Sequence, residues 1–256
     1  MKYVTIIIVT YNSSQFINNC LNFLLSSDAL SISRIIVIDN NSVDGTQELL
    51  QKFSNMSEIT IIYNMKNVGY TKACNQGIMM SSSKYVLILN PDIQVGNGSV
   101  KRLYEYMERY DVAVVGGKLM YFDGKLQYSC RTFPSPLTFL YRALQIENNK
   151  TIRTHLMYDF DHGEPRDVDW LLGSCLMIRR KVLDEIGFLD EKYFMYYSDV
   201  EFCWRVHKNN WKVTYVPDSE MFHYYQRQSA KGVPGFLALS HLRSAVRFFV
   251  KRYIKA

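Results

Sequence analysis

Tyr85-Val-Leu-Ile-Leu-Asn90-Pro91-Asp92 runs through five apolar or aromatic residues and then halts at an Asn-Pro pair. A short continuous apolar run reads as a strand buried on both faces of a parallel sheet. Proline lacks an amide proton and pushes its predecessor into extended geometry, so the strand ends there. Asp92 then projects from a strand's carboxyl end, where open α/β sheets gather their ligands. A carboxylate so placed can hold a hard divalent cation, and the cation can hold a diphosphate. The plainer alternative is an Asx turn.

Working outward, Val4–Thr10 and Arg34–Asn40 are rich in β-branched residues and read as two further buried strands, with Ile59–Tyr63 as a third. Apolar residues at helical spacing predict helices over Ser14–Ser27, Gln47–Phe53 and Tyr70–Ser81. Strand starts near 4, 34, 59 and 85 are one βαβ unit apart, so roughly the first hundred residues form a doubly wound parallel half-domain. Three polar clusters, Thr10-Tyr11-Asn12, Asp39-Asn40-Asn41 and Asn90-Pro91-Asp92, all follow strand ends. Topology alone puts them along one rim and makes that rim a binding site.

Beyond residue 100 the pattern loosens. Val112–Tyr121, Asp169–Ile178 and Trp211–Val216 predict strands, while residues 122–165 lack strong periodicity and read as a variable or mobile segment. Ser198-Asp199-Val200-Glu201 has the spacing of a capping box, which makes Ser198 the expected N-cap and aims Asp199 at the pocket rim. After Glu220 no acidic residue occurs, and Arg227, Lys231, Arg243, Arg247, Lys251, Arg252 and Lys255 are all cationic. Leu239, Leu242, Val246, Phe249 and Tyr253 form an apolar stripe on a basic helix. Such a helix either meets an anionic membrane surface or docks on its own domain with a solvated basic face.

Bulk properties bound the rest. The chain has 256 residues, 48% hydrophobic and 21% charged, with a net charge of +6, as expected of one large globular domain with an appendage. Its five scattered cysteines contain no CxxC pair, which argues for reduced thiols in a cytosolic compartment and against a zinc site. No run approaches the ~20 apolar residues that span a bilayer. The apolar start after Met1-Lys2 is too short for a signal sequence and reads as the first strand. Neither GxGxxG nor GxxxxGK[ST] is present, so a phosphate needs another counter-charge, such as a cation held by Asp92.

Together, Val9-Thr10-Tyr11-Asn12, Ile38-Asp39-Asn40-Asn41-Ser42-x-Asp44-Gly45-Thr46, Asn67-x-Gly69-Tyr70, Leu89-Asn90-Pro91-Asp92, Gly173-Ser174, Leu189-Asp190-Glu191 through Asp199, and His223 resemble the family 2 inverting glycosyltransferases of GT-A fold. The resemblance covers about residues 4–225, and the Asn-Pro-Asp form is similar to that of bacterial rhamnosyltransferases. It implies a mixed, mainly parallel Rossmann-like sheet flanked by helices. A nucleotide-binding half (1–100) and an acceptor-binding half (101–225) would precede a basic amphipathic C-terminal tail (226–256).

The resemblance also implies roles. Thr10, Tyr11 and Asn12 would line the nucleoside pocket, with Asp39 accepting from the pyrimidine N3–H unless it is a turn-capping aspartate. Gly69, Lys72, Asn75 and Asn90 would face the donor, although Lys72 also suits a solvated helix face. Asp92 would hold Mg²⁺ or Mn²⁺ on the diphosphate, with His223 either completing that coordination or serving structure. Asp199 would be the catalytic base or, on the bland alternative, a helix-dipole aspartate. Trp170, Gly173 and Ser198 would meet the acceptor. The family commonly has Glu-Asp where this chain has Ser198-Asp199, which leaves the roles of Ser198 and Glu201 open.

The implied activity is transfer of a sugar, L-rhamnose from dTDP-rhamnose, to a glycan or polyprenyl-diphosphate-linked acceptor at the cytoplasmic face of a bacterial membrane. A UDP-sugar donor is the alternative within the class. A non-catalytic sugar-nucleotide or glycan-binding module is the alternative outside it. Nucleic acid is disfavoured, because the tail's aromatics Phe248, Phe249 and Tyr253 lie on its apolar side and are not interleaved for bases.

Overall fold

The computed structural model describes residues 4–27, 32–146, 148–224 and 235–254. Arg227, Lys231 and Lys255 of the basic tail lie outside the described residues. The first half alternates as expected: β1 (Val4–Thr10), α1 (Ile17–Ser27), β2 (Ile32–Asp39), α2 (Thr46–Gln51), β3 (Ile59–Tyr63), α3 (Tyr70–Met79) and β4 (Tyr85–Leu89). Then come β5 (Ile93–Val95), α4 (Ser99–Arg109), β6 (Val114–Met120), β7 (Leu126–Gln127), β8 (Cys130–Arg131), α5 (Pro136–Ala143) and α6 (Lys150–His155). The chain continues through β9 (Arg166–Asp167), β10 (Trp170–Leu171), β11 (Cys175–Arg179), α7 (Arg180–Ile186), α8 (Ser198–Lys208), β12 (Val213–His223) and α9 (Phe236–Tyr253).

The principal sheet runs β3-β2-β1-β4-β11-β6-β12-β5. Strands β3, β2, β1 and β4 are mutually parallel. β11 enters antiparallel between β4 and β6, and β12 returns parallel to β6. Both faces of the sheet are covered: alternate residues of β1 point into opposite cores, Ile7 and Val9 into one, Val4, Ile6 and Ile8 into the other. Double burial is why these strands read as unbroken apolar runs.

Four sequence expectations change. The Asp169–Ile178 run is two strands, β10 and β11, separated at Leu172-Gly173-Ser174. The last strand continues beyond Val216, and its pairing with β6 shifts register between Val216 and Glu220, so Pro217 falls where the ladder is interrupted. The segment 122–165 contains α5 and α6, each with a side-chain cap, from Ser135 and Asn149. Ser198 is the first residue of α8 instead of its cap. The N-cap is Tyr197, in left-handed backbone geometry at φ 69°, with no side-chain cap.

The tail helix docks on the domain. Ala245 and Phe248 of α9 join the core that contains Tyr197 and Phe202, so the boundary near 225 does not separate two bodies. Lys251 reaches inward to Glu201 at 2.5 Å and to Asp190 at 3.4 Å. The expected stripe docks only in part: Phe249 packs against the core, but Leu239, Leu242, Val246 and Tyr253 are exposed, whereas Ser244, Ala245 and Phe248 are buried. Burial of Phe248 also removes one stacker from the nucleic-acid alternative.

Candidate active site

The strand ends create a cleft of about 1650 Å³. Its lining includes Tyr11, Asn12, Asn90 and Asp92 toward one end, and Trp170, Gly173, Ser198 and Asp199 from the second half. Asp92 follows the turn after β4, in which Ile93 N–H donates to the Asn90 carbonyl at 3.2 Å. β5 then pairs antiparallel with the end of β12, and this register sets His223 opposite Ile93. The result is His223 Nε2 at 3.3 Å from Asp92 Oδ1. That oxygen is buried and lacks a hydrogen-bond partner. His223 Nδ1 stands 2.6 Å from Gln127 Oε1. With that oxygen accepting, the ring proton sits on Nδ1 and Nε2 presents its lone pair toward Asp92.

Asp199 sits in the first turn of α8. Its Oδ2 accepts from the Gly173 amide at 2.9 Å and its Oδ1 from the Val200 amide at 2.9 Å. Burial pushes its carboxyl above the usual range, while those amides and the Arg131 guanidinium pull it back. Tyr70 ties the two halves together, its hydroxyl lying 3.0 Å from both Asn90 Oδ1 and the Gly173 carbonyl. Gly69 serves packing here: at φ 92° its missing Cβ would stand 2.7 Å from the Phe194 ring.

Several residues expected to face the donor are not brought to the cleft. Thr10 and Asp39 are fully buried. Both Asp39 oxygens are engaged, by Thr10 Oγ1, by Ser42 through amide and hydroxyl, and by Gln47 Nε2. In this arrangement Asp39 braces the turn after β2. Asn75 clamps Leu189 through both of its backbone polar groups, and Lys72 is exposed on the outer side of α3. Trp170 is part of the wall, only 7% exposed, with its indole N–H on the Thr132 carbonyl at 2.9 Å. It offers no open stacking platform.

Three residues missed in the sequence belong to the site: Tyr70, Gln127 and Arg131. Tyr70 carried a signal as the helix-opening residue after Gly69. Gln127 and Arg131 lie in the aperiodic segment and carried none.

Solved structures share this architecture. The crystal structure of GalNAc-T7 with UDP, GalNAc and Mn²⁺ superposes with a TM-score of 0.71 at 14% identity, covering 97% of this chain and 48% of that one. Staphylococcus aureus TarS 1–349 in complex with UDP-GlcNAc superposes with a TM-score of 0.64 at 18% identity, covering 97% of this chain and 67% of that one. Fold and sheet order therefore define a GT-A glycosyltransferase scaffold. The glycosyl transferase family 2 profile matches residues 5–187, and the chain belongs to that family. It is 28% identical to the N-acetylglucosaminyl-diphospho-decaprenol L-rhamnosyltransferase of Mycobacterium tuberculosis, covering 97% of this chain and 84% of that protein. It is 25% identical to rhamnosyltransferase WbbL of Escherichia coli K12, covering 98% and 94% respectively.

Proposed function

We propose that this glycosyltransferase moves L-rhamnose from dTDP-rhamnose, with inversion, onto a lipid-diphosphate-linked glycan at the inner face of a bacterial membrane. The observation that carries the mechanism is one cleft lined by Asp92, His223 and Asp199, with Tyr70 bridging Asn90 and Gly173 between them. The donor's nucleoside would lie along Tyr11 and Asn12, and its diphosphate near Asn90 and Asp92. Support for rhamnose comes from relatives named for rhamnosyl transfer, including the dTDP-rhamnosyl transferase RfbF of Shigella flexneri, 24% identical over 88% of this chain.

The residues fit a divalent cation. An unpartnered buried carboxylate oxygen faces an imidazole lone pair, a two-ligand set that leaves room for phosphate oxygens and water. Asp92 and His223 would hold Mg²⁺ or Mn²⁺, the imidazole favouring Mn²⁺. When bound, the ion supplies charge neutralisation for the departing nucleoside diphosphate.

Asp199 takes the proton of the attacking acceptor hydroxyl. One in-line displacement needs one such carboxylate, and its two amide contacts fix its direction. Ser198, buried at the start of α8, would hold the acceptor side of the wall. Tyr70 positions Asn90 against Gly173, keeping base and donor in register.

No helix among the described residues is long and apolar enough to cross a membrane. The outward side chains of α9 and α5 carry Leu239, Leu242, Val246, Leu137, Leu140 and Leu144, and Arg243 and Arg247 flank the first set. A face of this chemistry suits an anionic leaflet.

The test is donor turnover by the purified protein across dTDP-rhamnose, UDP-GlcNAc and UDP-galactofuranose. Release of dTDP from dTDP-rhamnose supports the reading. Turnover of a UDP-sugar with dTDP-rhamnose untouched overturns it.

A further inference from the structure

Besides Asp92 and Asp199, the cleft lining carries cationic side chains. β8 and β10 pair antiparallel with Arg131 opposite Trp170, which sets the guanidinium 5.5 Å from the indole centroid. Arg131 is only 8% exposed and lines the cleft. Arg142, in the last turn of α5, lines it from the other side. His155, at the end of α6, is 4% exposed and also lines it, with a buried Nδ1 that has no hydrogen-bond partner. Among the described residues, the acidic members of the lining are Asp44, Asp92 and Asp199.

We infer that this part of the cleft is a subsite for a glycosyl phosphate: Arg131 and Arg142 take the phosphoryl group that links the acceptor's first sugar to its lipid, and His155 Nδ1 hydrogen-bonds a hydroxyl of that sugar. The inference rests on the proposed lipid-diphosphate-linked acceptor. Guanidinium forks match phosphate oxygens, and Arg131, which donates to the Tyr128 carbonyl at 3.3 Å, is held at the cleft wall by that bond. His155 is the complementary part. Burial and the two guanidiniums push its imidazole down to about 3, so the ring is neutral. Its Nδ1 is buried without a hydrogen-bond partner. A hydroxyl both donates and accepts, so it can complete that nitrogen in either tautomer.

The placement also fits the chemistry. Arg131 acts on Asp199 as well, so the phosphate end adjoins the base that must meet the acceptor's hydroxyl. Phe139 of α5 stacks on His241 of α9 with ring centroids 5.5 Å apart, so the two helices with apolar outer faces meet at this end. A lipid tail leaving the subsite would emerge beside them.

The test uses the full chain with saturating dTDP and Mn²⁺, which fills the donor's phosphate site. Calorimetry then follows geranyl diphosphate. Binding to the wild type that weakens about tenfold in Arg142→Gln, on the exposed side of α5, supports the subsite. No binding, or equal binding to both proteins, overturns it. Rhamnosyl transfer to a diphosphate-linked acceptor and to a neutral glycoside of the same sugar gives the second arm. Arg142→Gln should raise KM about tenfold for the first acceptor alone, and a matching rise for both sinks the phosphate role. His155→Gln removes the ring and its Nδ1, so KM should rise for both acceptors with dTDP affinity unchanged. An unchanged KM removes the hydroxyl contact. Absence of dTDP-rhamnose turnover with any acceptor defeats the functional proposal, while the calorimetric arm still judges the subsite.

Discussion

The Gly173 amide donates to Asp199 Oδ2 at 2.9 Å, and a Cβ at position 173 would stand 3.1 Å from the same oxygen. The proposed base is therefore held by a residue whose added Cβ would crowd it. Gly173→Ala should shift the carboxylate by a few tenths of an ångström and lower kcat on the order of 10–10²-fold, leaving donor KM in place. Steady-state kinetics with both substrates checks this. Asp199→Asn should go further, to ~10²–10⁴-fold in rate, with donor binding retained by calorimetry.

Asp199 also sets a pH dependence. Its folded pKa lies above the ordinary carboxylate value, and a base must be ionised to act. Activity should fall as pH drops through that raised value, well before ordinary carboxylates titrate. Arg131→Gln removes a stabilising cation and should move the acid limb to higher pH. Stability runs the other way: the folded protein binds this proton more tightly than the unfolded chain, so the group's penalty grows as pH rises through the same window. A pH–rate profile beside thermal melts of wild type and Asp199→Asn separates the two trends.

EDTA should abolish transfer, and Mn²⁺ should restore it. Gln127→Leu removes the partner of His223 Nδ1 without touching either proposed ligand. Metal affinity should then weaken roughly 10–100-fold, read as the Mn²⁺ concentration for half-maximal activity and by Mn²⁺ electron paramagnetic resonance. Full activity after chelation would remove the cation from the account.

Leu140→Glu with Val246→Glu places two charges on the outer faces of α5 and α9, where both side chains are exposed. Co-sedimentation with phosphatidylglycerol vesicles should drop at least about tenfold, while soluble-acceptor turnover stays unchanged. High salt should weaken the wild type's binding as well. Undiminished sedimentation of the double variant would exclude this face.

Much of the first hundred residues was legible because doubly buried strands leave unbroken apolar runs and βαβ spacing fixes their order. The rim was legible too, since all three polar clusters follow strand ends. Which way each side chain turns was not. Asp39 closes β2 and Asp92 follows the end of β4 by three residues, yet one is saturated by Ser42 and Gln47 and the other has an oxygen without a hydrogen-bond partner beside His223. Local sequence does not distinguish them. His223 comes beside Asp92 only through β5, whose three residues are too few to show a period. Arg131 and His155 escaped notice because α6 and the β8–β10 pair are short and mix polar with apolar residues.

Tyr197 carries the cost of aiming the base. A tyrosine at φ 69° stores on the order of 1–3 kcal/mol unless its surroundings compel it. Those surroundings are α9: Phe248, His241 and Phe249 meet its ring at centroid distances of 5.7, 5.5 and 6.3 Å. The family match ends at residue 187, short of the strained tyrosine, the proposed base and the final helix alike. A protein trimmed before residue 235 would keep its donor half and lose the prop, leaving a transferase that grips its nucleotide sugar and idles.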